Sequence, residues 1–334
     1  MDAEDGHDGH GGFEHKPVLI EETLEYLAPA PGAVIVDATV GGGGHAAAIA
    51  RRLAPGGMLV GIDQDESALA ASAKRLLGGR ALSGWTREGV TVNLAHGNFR
   101  ELPRVLRGLG IEAVQGVLFD LGVSSPQLDV GERGFSYWAD NPLDMRMDRE
   151  QSLTAAEIVN TWPESRISSV LRDYGEERWA IRIARFIAER RSERLFRTTG
   201  ELVEVVKNAV PASVRRSGPH PARRTFQALR IAVNDELGAL EEGLLAALAS
   251  LAPGGRLVAI SFHSLEDRLV KHFLREHEIH CVCPRGLPVC ACGRPGELEV
   301  LTRHSVTAGA GELSENPRAR SARLRAAART GPKF

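Results

Sequence analysis

Apolar residues recur at two different periods along this chain, and the change of period divides it. Short apolar runs of strand length occupy Val34–Val40, Met58–Asp63, Thr91–Gly97 and Val114–Gly122. Between them lie segments of helical composition, His45–Leu53 and Glu66–Leu77. An amphipathic helix opens the series across HKPVLIEETLEYLAP, with Leu19, Leu24 and Leu27 inward and Pro29 and Pro31 ending it. Strands alternating with helices predict a parallel sheet. At about Gly131 the alternation stops, and up to about Pro221 the pattern is helical only. Segments are predicted near Ala155–Thr161, Ser165–Tyr174, Glu176–Arg190 and Thr199–Ala209. The chain then returns through a stripe in which Phe226, Leu229, Val233, Leu237, Leu240, Leu244, Leu248 and Leu251 repeat at three and four residues. APGGRLVAISFHS supplies a fifth strand, and LEVLTR and ARSARLRAA a sixth and seventh, so the sheet resumes after a helical insertion.

The first strand runs into VIVDATVGGGGH, where four consecutive glycines open a helix. Glycine tolerates positive φ and lacks Cβ, so such a turn lets a ligand approach the backbone while the helix N-terminus offers N–H groups. Asp63 ends the second strand about 20 residues beyond the glycines, where a doubly wound fold sets a carboxylate against ribose hydroxyls. In a dinucleotide site the glycines follow the strand at once and face a pyrophosphate. Here Asp37 precedes them, and a carboxylate at that mouth suits a cationic ligand with an amino group, such as S-adenosylmethionine (SAM), better than NAD. An NAD-linked oxidoreductase remains the competing reading of the turn. On a parallel sheet the loops after strands one to four converge, which collects Gly43, Gly44, His45, Asp63, Asn98, Phe99, Asp120 and Gln127. Phe99 is a candidate to lie against an adenine ring.

Composition changes this picture in two places. The formal net charge is only −2, but it is unevenly spread. Residues 1–25 hold eight acids against Lys16, whereas residues 166–230 hold fifteen Lys/Arg against seven acids, and residues 317–334 hold six and no acid. Basic clusters of this kind are the footprint of a polyanion partner. On the Glu176–Arg190 segment, Arg178, Arg182 and Arg185 fall at i, i+4 and i+7 beside Trp179, Ile183 and Phe186; they are phosphate-binding candidates, against pairing with Glu177 and Glu189. Arg223, Arg224 and His263 are further RNA candidates. All four cysteines, Cys281, Cys283, Cys290 and Cys292, fall in one short stretch as two CxC pairs; metal knuckles more often use CxxC, so a reduced hairpin without metal is expected. No apolar run reaches the roughly 18 residues that span a bilayer, and the acidic Gly/His-rich N-terminus is unlike a signal peptide. A cytoplasmic location without membrane partners is the expectation.

The loop after the fourth strand, DLGVSSPQLD, carries Ser124, Ser125 and Pro126, a polar and proline-stiffened set suited to orienting an exocyclic amine. Enzymes that methylate amines of nucleic acids commonly place an acid or polar residue, a proline pair and an aromatic here, and this chain departs from that pattern. HKPVLIEETLEYL, DATVGGGGH, FDLGVSSPQLD with ERGFSY and PLDMRMD, YGEERWAIRIARFI, HPARRTFQALRIAVNDEL and APGGRLVAISFHSLEDR together resemble the ribosomal RNA small subunit methyltransferase H family, also called MraW, from about His15 to Arg329. The resemblance implies a Rossmann-like class I SAM-dependent methyltransferase sheet of seven mostly parallel strands with an inserted all-helical domain. It divides the chain into an acidic leader (1–14), a SAM-binding domain (15–130 and 223–334) and a helical substrate-recognition domain (131–222). It implies N4-methylation of a cytidine in the decoding region of 16S ribosomal RNA, with the small ribosomal subunit as partner and homodimerisation left open. SAM contacts would fall on Gly43, Gly44, His45, Asp63, Phe99, Asp120 and Gln127. The alternatives are an amino-methyltransferase of another RNA or of DNA, and a non-catalytic RNA-binding module.

Overall fold

The computed structural model describes residues 17–78, 85–87, 89–123, 133–216, 219–278 and 296–331. Successive residues of a strand face opposite ways, and here both ways are apolar. In β1 (Val34–Asp37) Ile35 joins the core on one face of the sheet and Val36 the core on the other; Leu59 and Val60 of β2 (Met58–Asp63) and Leu118 and Phe119 of β5 (Val114–Asp120) divide likewise. Helices therefore cover both faces. α1 (Ile20–Leu27), α2 (Gly44–Leu53) and α3 (Glu66–Leu77) lie on the first. On the second lie α4 (Leu102–Gly108) and two later helices, described below.

The sheet has eight strands in the order β3-β4-β2-β1-β5-β6-β8-β7. β4 is Val90–His96, β6 Leu251–Ser261, β7 Leu298–Val300 and β8 Arg323–Arg329. The pairs β2–β4, β1–β2, β1–β5 and β5–β6 are parallel, and β8 is antiparallel to both β6 and β7. All seven predicted strands are present in this Rossmann-like sheet. The eighth, β3 (Trp85–Arg87), is a three-residue antiparallel edge strand on β4, too short to leave a periodic signal. Strand order reverses between β1 and β5, and a crevice opens beyond their carboxyl ends.

Between β5 and β6 an irregular stretch, 133–154, leads into helices: α5 (Ala155–Thr161), α6 (Glu164–Gly175), α7 (Ala180–Glu193), α8 (Thr199–Ala209), α9 (Ala212–Arg216), α10 (Arg223–Asn234) and α11 (Glu236–Ser250). Ile158, Ile167, Leu171, Ile183, Ile187 and Leu202 build a third core, which Phe226 and Leu229 of α10 also enter. α11 and α12 (Ser264–Glu276) instead pack on the second face of the sheet; α13 (Ala310–Glu315) precedes β8.

Left-handed residues shorten one predicted helix and divide another. Glu176 takes φ 48° and caps α6, so α7 starts only at Ala180 and Arg178 lies ahead of it. The regular i, i+4, i+7 ladder of arginines is thus not formed. Asp235, also at φ 48°, divides the long apolar stripe into α10 and α11. Among the described residues no helix is long and apolar enough to cross a membrane.

Side-chain polar groups tie the helical insertion to the sheet. Asn234 accepts from the Met147 N–H at 2.7 Å and donates to the carbonyls of Met145 and Arg230. Arg133 donates to the carbonyls of Arg146 and Met147 and pairs with Asp65 at 2.9 Å, both side chains buried. Asp65 also caps α3 through the Ser67 N–H. Removing one partner of a buried pair strands the other charge, at about 3–5 kcal/mol. Arg133→Met should therefore lower the unfolding free energy by about that amount in urea titrations; a loss below about 1 kcal/mol would show that the pair does not hold the insertion.

Candidate functional site

The glycine turn is shaped by its neighbours. Gly41 and Gly43 have φ of 51° and 76°. A Cβ on Gly43 would stand 3.1 Å from Ser72 Oγ, and one on Gly44 2.7 Å from Pro17 Cγ. Gly41 and Gly43 thus serve left-handed backbone, and Gly43 and Gly44 serve close packing. The Asp63 carboxylate accepts the Gly41 N–H at 2.8 Å and the Asp65 N–H at 2.9 Å, and Ser72 Oγ donates to the Gly41 carbonyl. The acid at the end of β2 thereby holds the loop after β1.

A cavity of about 690 Å³ opens over these strand ends. Gly44, His45, Asp63, Asn98, Phe99 and Asp120 line it, as the sequence reading expects. Gly43 is turned toward Ser72, and Gly41 and Gly42 form the wall beside it. Gln127, Ser124, Ser125, Pro126 and the four cysteines lie outside the described residues. Phe99 meets Phe119 edge-on at 5.5 Å and backs against Gly243 of α11, where a Cβ would stand 2.6 Å from its ring. That glycine lets the ring settle at the cavity wall. Sequence periodicity missed the far wall, Met147, Asn234 and Glu236. These come from the insertion and its return helices, and the only sequence signal was the PLDMRMD and NDEL motifs.

The electrostatics are set by carboxylates at neighbouring strand ends. Asp37 is buried beneath the cavity and not at its mouth; burial pushes it up to about 7, with His45 opposing and Asp120 adding to the rise. Burial likewise raises Asp63 to about 6 against the N–H groups that favour its charge. His45 Nε2 donates to the Val18 carbonyl at 2.9 Å while Nδ1 lies 3.3 Å from Asp120. Burial opposes its charge, but the Asp120 and Asp37 carboxylates win and hold the imidazole above its ordinary range. His45 is a clasp between the Val18 carbonyl and the strand-end Asp120 and has no spare nitrogen for base catalysis. Thr39 Oγ1 accepts the Asp120 N–H at 2.6 Å, and the Asp120 Oδ1 atom is buried with no hydrogen-bond partner among the described residues.

A second cavity, of about 970 Å³, lies beside the first, and Phe262 borders both. Arg178, Arg223, Arg224 and His263 line it, so the structure brings four of the six RNA candidates together. Arg268, Lys271, Arg320 and Arg323, from α12 and the segment entering β8, add charge that sequence reading had not assigned there. Arg182 stacks over Phe186 and Arg185 pairs with Glu189 at 2.8 Å, and neither reaches this cavity.

A family model described as the MraW methylase family matches residues 12–330. The chain is 56% identical over 314 residues to a ribosomal RNA small subunit methyltransferase H of Symbiobacterium thermophilum, covering 94% of this chain and 96% of that protein. It is 53% identical to the protein of the same name from Heliobacterium modesticaldum and 52% identical to that of Geobacter sulfurreducens, each over 94% of this chain and 98% of the relative. With a matched model over nearly the whole length and relatives above half identity, this chain belongs to the MraW methylase family.

Proposed function

We propose that this protein methylates the exocyclic N4 of a cytidine in the decoding region of 16S ribosomal RNA, with SAM as donor and the small ribosomal subunit as partner. The observation that carries the reading is the junction of the two cavities at Phe262, one floored by strand-end acids and glycines and the other rimmed by cations. The names of the relatives supply the class of RNA. The first cavity fits the donor. Asp63 suits ribose hydroxyls, the glycine turn admits a close ligand, and Phe99 offers a ring to an adenine. Asp120 Oδ1, buried and without a hydrogen-bond partner among the described residues, is an acceptor for a cationic amine. SAM, when bound, supplies an electrophilic methyl group on sulfur.

The protein's own task is placement. The N4 lone pair of cytosine is delocalised into the ring, so the amine attacks poorly unless aligned, and good alignment contributes roughly 7–11 kcal/mol. As the new bond forms the nitrogen becomes acidic and sheds its proton to water or a nearby carboxylate, so no strong base is required. Ser124, Ser125 and Pro126 are assigned to orienting the amine, with Gln127 beside the donor. Residues 131–222 are assigned as the substrate-recognition unit inserted into the SAM-binding domain, with Arg178 within it and Arg223 and Arg224 just beyond it as phosphate contacts. The target must leave its stack, which is least costly in irregular RNA.

Labelled SAM incubated with the full chain and either small subunits or naked 16S RNA, followed by mapping of the modified base, should place the label on one decoding-region cytidine. Label on another base or on no RNA would refute the reading. Binding should also depend on pH, because a carboxylate accepting ribose hydroxyls acts in its ionised form. Asp63 ionises at about 6, so SAM affinity is full above that value and falls as pH drops through it, by up to about tenfold per unit. Calorimetry should find Asp63→Asn weak and flat with pH, and a flat wild-type profile would count against the assignment. Neutralising Arg178, Arg223 or Arg224 to Gln should each reduce the salt slope of RNA binding by about 0.7, whereas Arg185→Gln should leave it unchanged. An equal effect of Arg185→Gln would dissociate RNA binding from the second cavity.

A further inference from the structure

Glu236, His263 and Glu266 each bring one side-chain donor or acceptor atom within 4.8 Å of the other two. Glu236 and Glu266 face the first cavity, His263 faces the second, and Phe262 borders both. The cluster therefore stands where donor and acceptor must meet. Arg230 grips Glu236 through two contacts of 2.7 Å. Glu266 accepts the N–H groups of Phe262 and His263, and the His263 Nδ1 atom accepts the Glu266 N–H in return. These contacts settle the protons. With Nδ1 accepting, the ring carries its proton on Nε2. That N–H is buried in a side chain only 10% exposed, lies 3.2 Å from Glu266 Oε1, and makes no well-aimed hydrogen bond with any described residue.

A metal ion does not suit the cluster. It would need the Nε2 lone pair, which the Nδ1 contact removes, and it would sit beside the Arg230 guanidinium. Two features remain: an unspent N–H donor, and carboxylates with free lone pairs next to it. Burial opposes the charge of Glu266, but its contacts with His263, Arg230 and the Phe262 N–H hold it below its ordinary range. An N–H beside a carboxylate is the complement of an amidine edge, in which a ring nitrogen accepts and the neighbouring exocyclic amine donates. Cytosine presents that edge at N3 and N4, while uracil presents the reverse.

We propose that His263, Glu236 and Glu266 read the edge of the target base, His263 Nε2–H donating to N3 and a carboxylate of Glu236 or Glu266 accepting from the N4 amine. An in-plane hydrogen bond from the amine leaves its out-of-plane lone pair facing the first cavity. Phe262, packed 3.4 Å from where a Cβ of Gly122 would be, walls the base on the side between the cavities. This reader rests on the function proposed above and adds selection of cytosine over uracil.

The test must separate reading from capping, because His263 is the N-cap of α12. Asn caps as well as any residue but ends short of the Nε2 position. His263→Asn should keep the wild-type melting temperature and SAM affinity. Its kcat/KM on small subunits should fall roughly 5- to 150-fold, which is the about 1–3 kcal/mol of a bidentate base contact at 1.36 kcal/mol per tenfold. A 16S RNA fragment with uridine in place of the mapped cytidine should compete poorly against its parent for the wild type and by a clearly smaller margin for His263→Asn, which keeps the carboxylates. If Asn lowers the melting temperature, His263→Ser, another strong cap, carries the same measurements. Wild-type kcat/KM and undiminished discrimination in a folded variant would overturn the proposal. A wild-type enzyme that labels no small-subunit RNA would instead overturn the function on which it rests.

Discussion

Three carboxylates end neighbouring parallel strands, and the molecule has to find partners for all of them in a place with little water. Asp37, Asp63 and Asp120 converge because β1, β2 and β5 run side by side in the same direction. Asp63 is satisfied by drawing in the Gly41 N–H, which fixes the glycine loop. Asp120 is balanced by His45, which the loop delivers from the first turn of α2. Asp37 has least help and is pushed up to about 7. One buried electrostatic problem thus determines the loop conformation, the placement of a histidine and the acidic character of the cavity floor. Unpaired buried charge is costly, so the arrangement is tightly constrained.

The second half of the site depends on attachment instead of charge balance. A helical insertion with its own core could stand at many angles to a sheet. Asn234 and Arg133 remove that freedom by spending their hydrogen bonds on the Met145–Met147 backbone and on Asp65 at the start of α3. Met147 and Asn234 consequently reach the far wall of the first cavity, and the α6–α7 turn brings Arg178 beside α10 and α12 at the rim of the second. Left-handed residues do the rest. Glu176 turns the chain out of α6, and its carboxylate binds Ser264 and Arg268 across the second cavity. Asp235 turns α10 into α11 and leaves Glu236 facing the junction.

Strand and helix identities were legible in the sequence because apolar periodicity is local and the parallel strands are buried on both faces. Seven of the eight strands follow from it, as do the glycine turn, Asp63 and the loop-end residues, since a doubly wound sheet has only one place for them. The edge strand Trp85–Arg87 was not legible, because its three residues, Trp-Thr-Arg, form no apolar run. The arginine ladder failed for a related reason: helical spacing counts residues and does not see the single left-handed backbone at Glu176 that takes Arg178 out of line.

The sequence by itself determined the order of elements, the turn that admits a cofactor and the family to which they point, all of which rest on contacts between residues close in the chain or on a fixed pattern of motifs. Tertiary structure alone decided which charged groups are neighbours. The buried pairing of Arg133 with Asp65, the clasp of His45 on Asp120 and the meeting of Glu236, His263 and Glu266 join residues up to about 75 positions apart. Coulombic and hydrogen-bonding energies depend on distance and burial in space, which no spacing along the chain encodes.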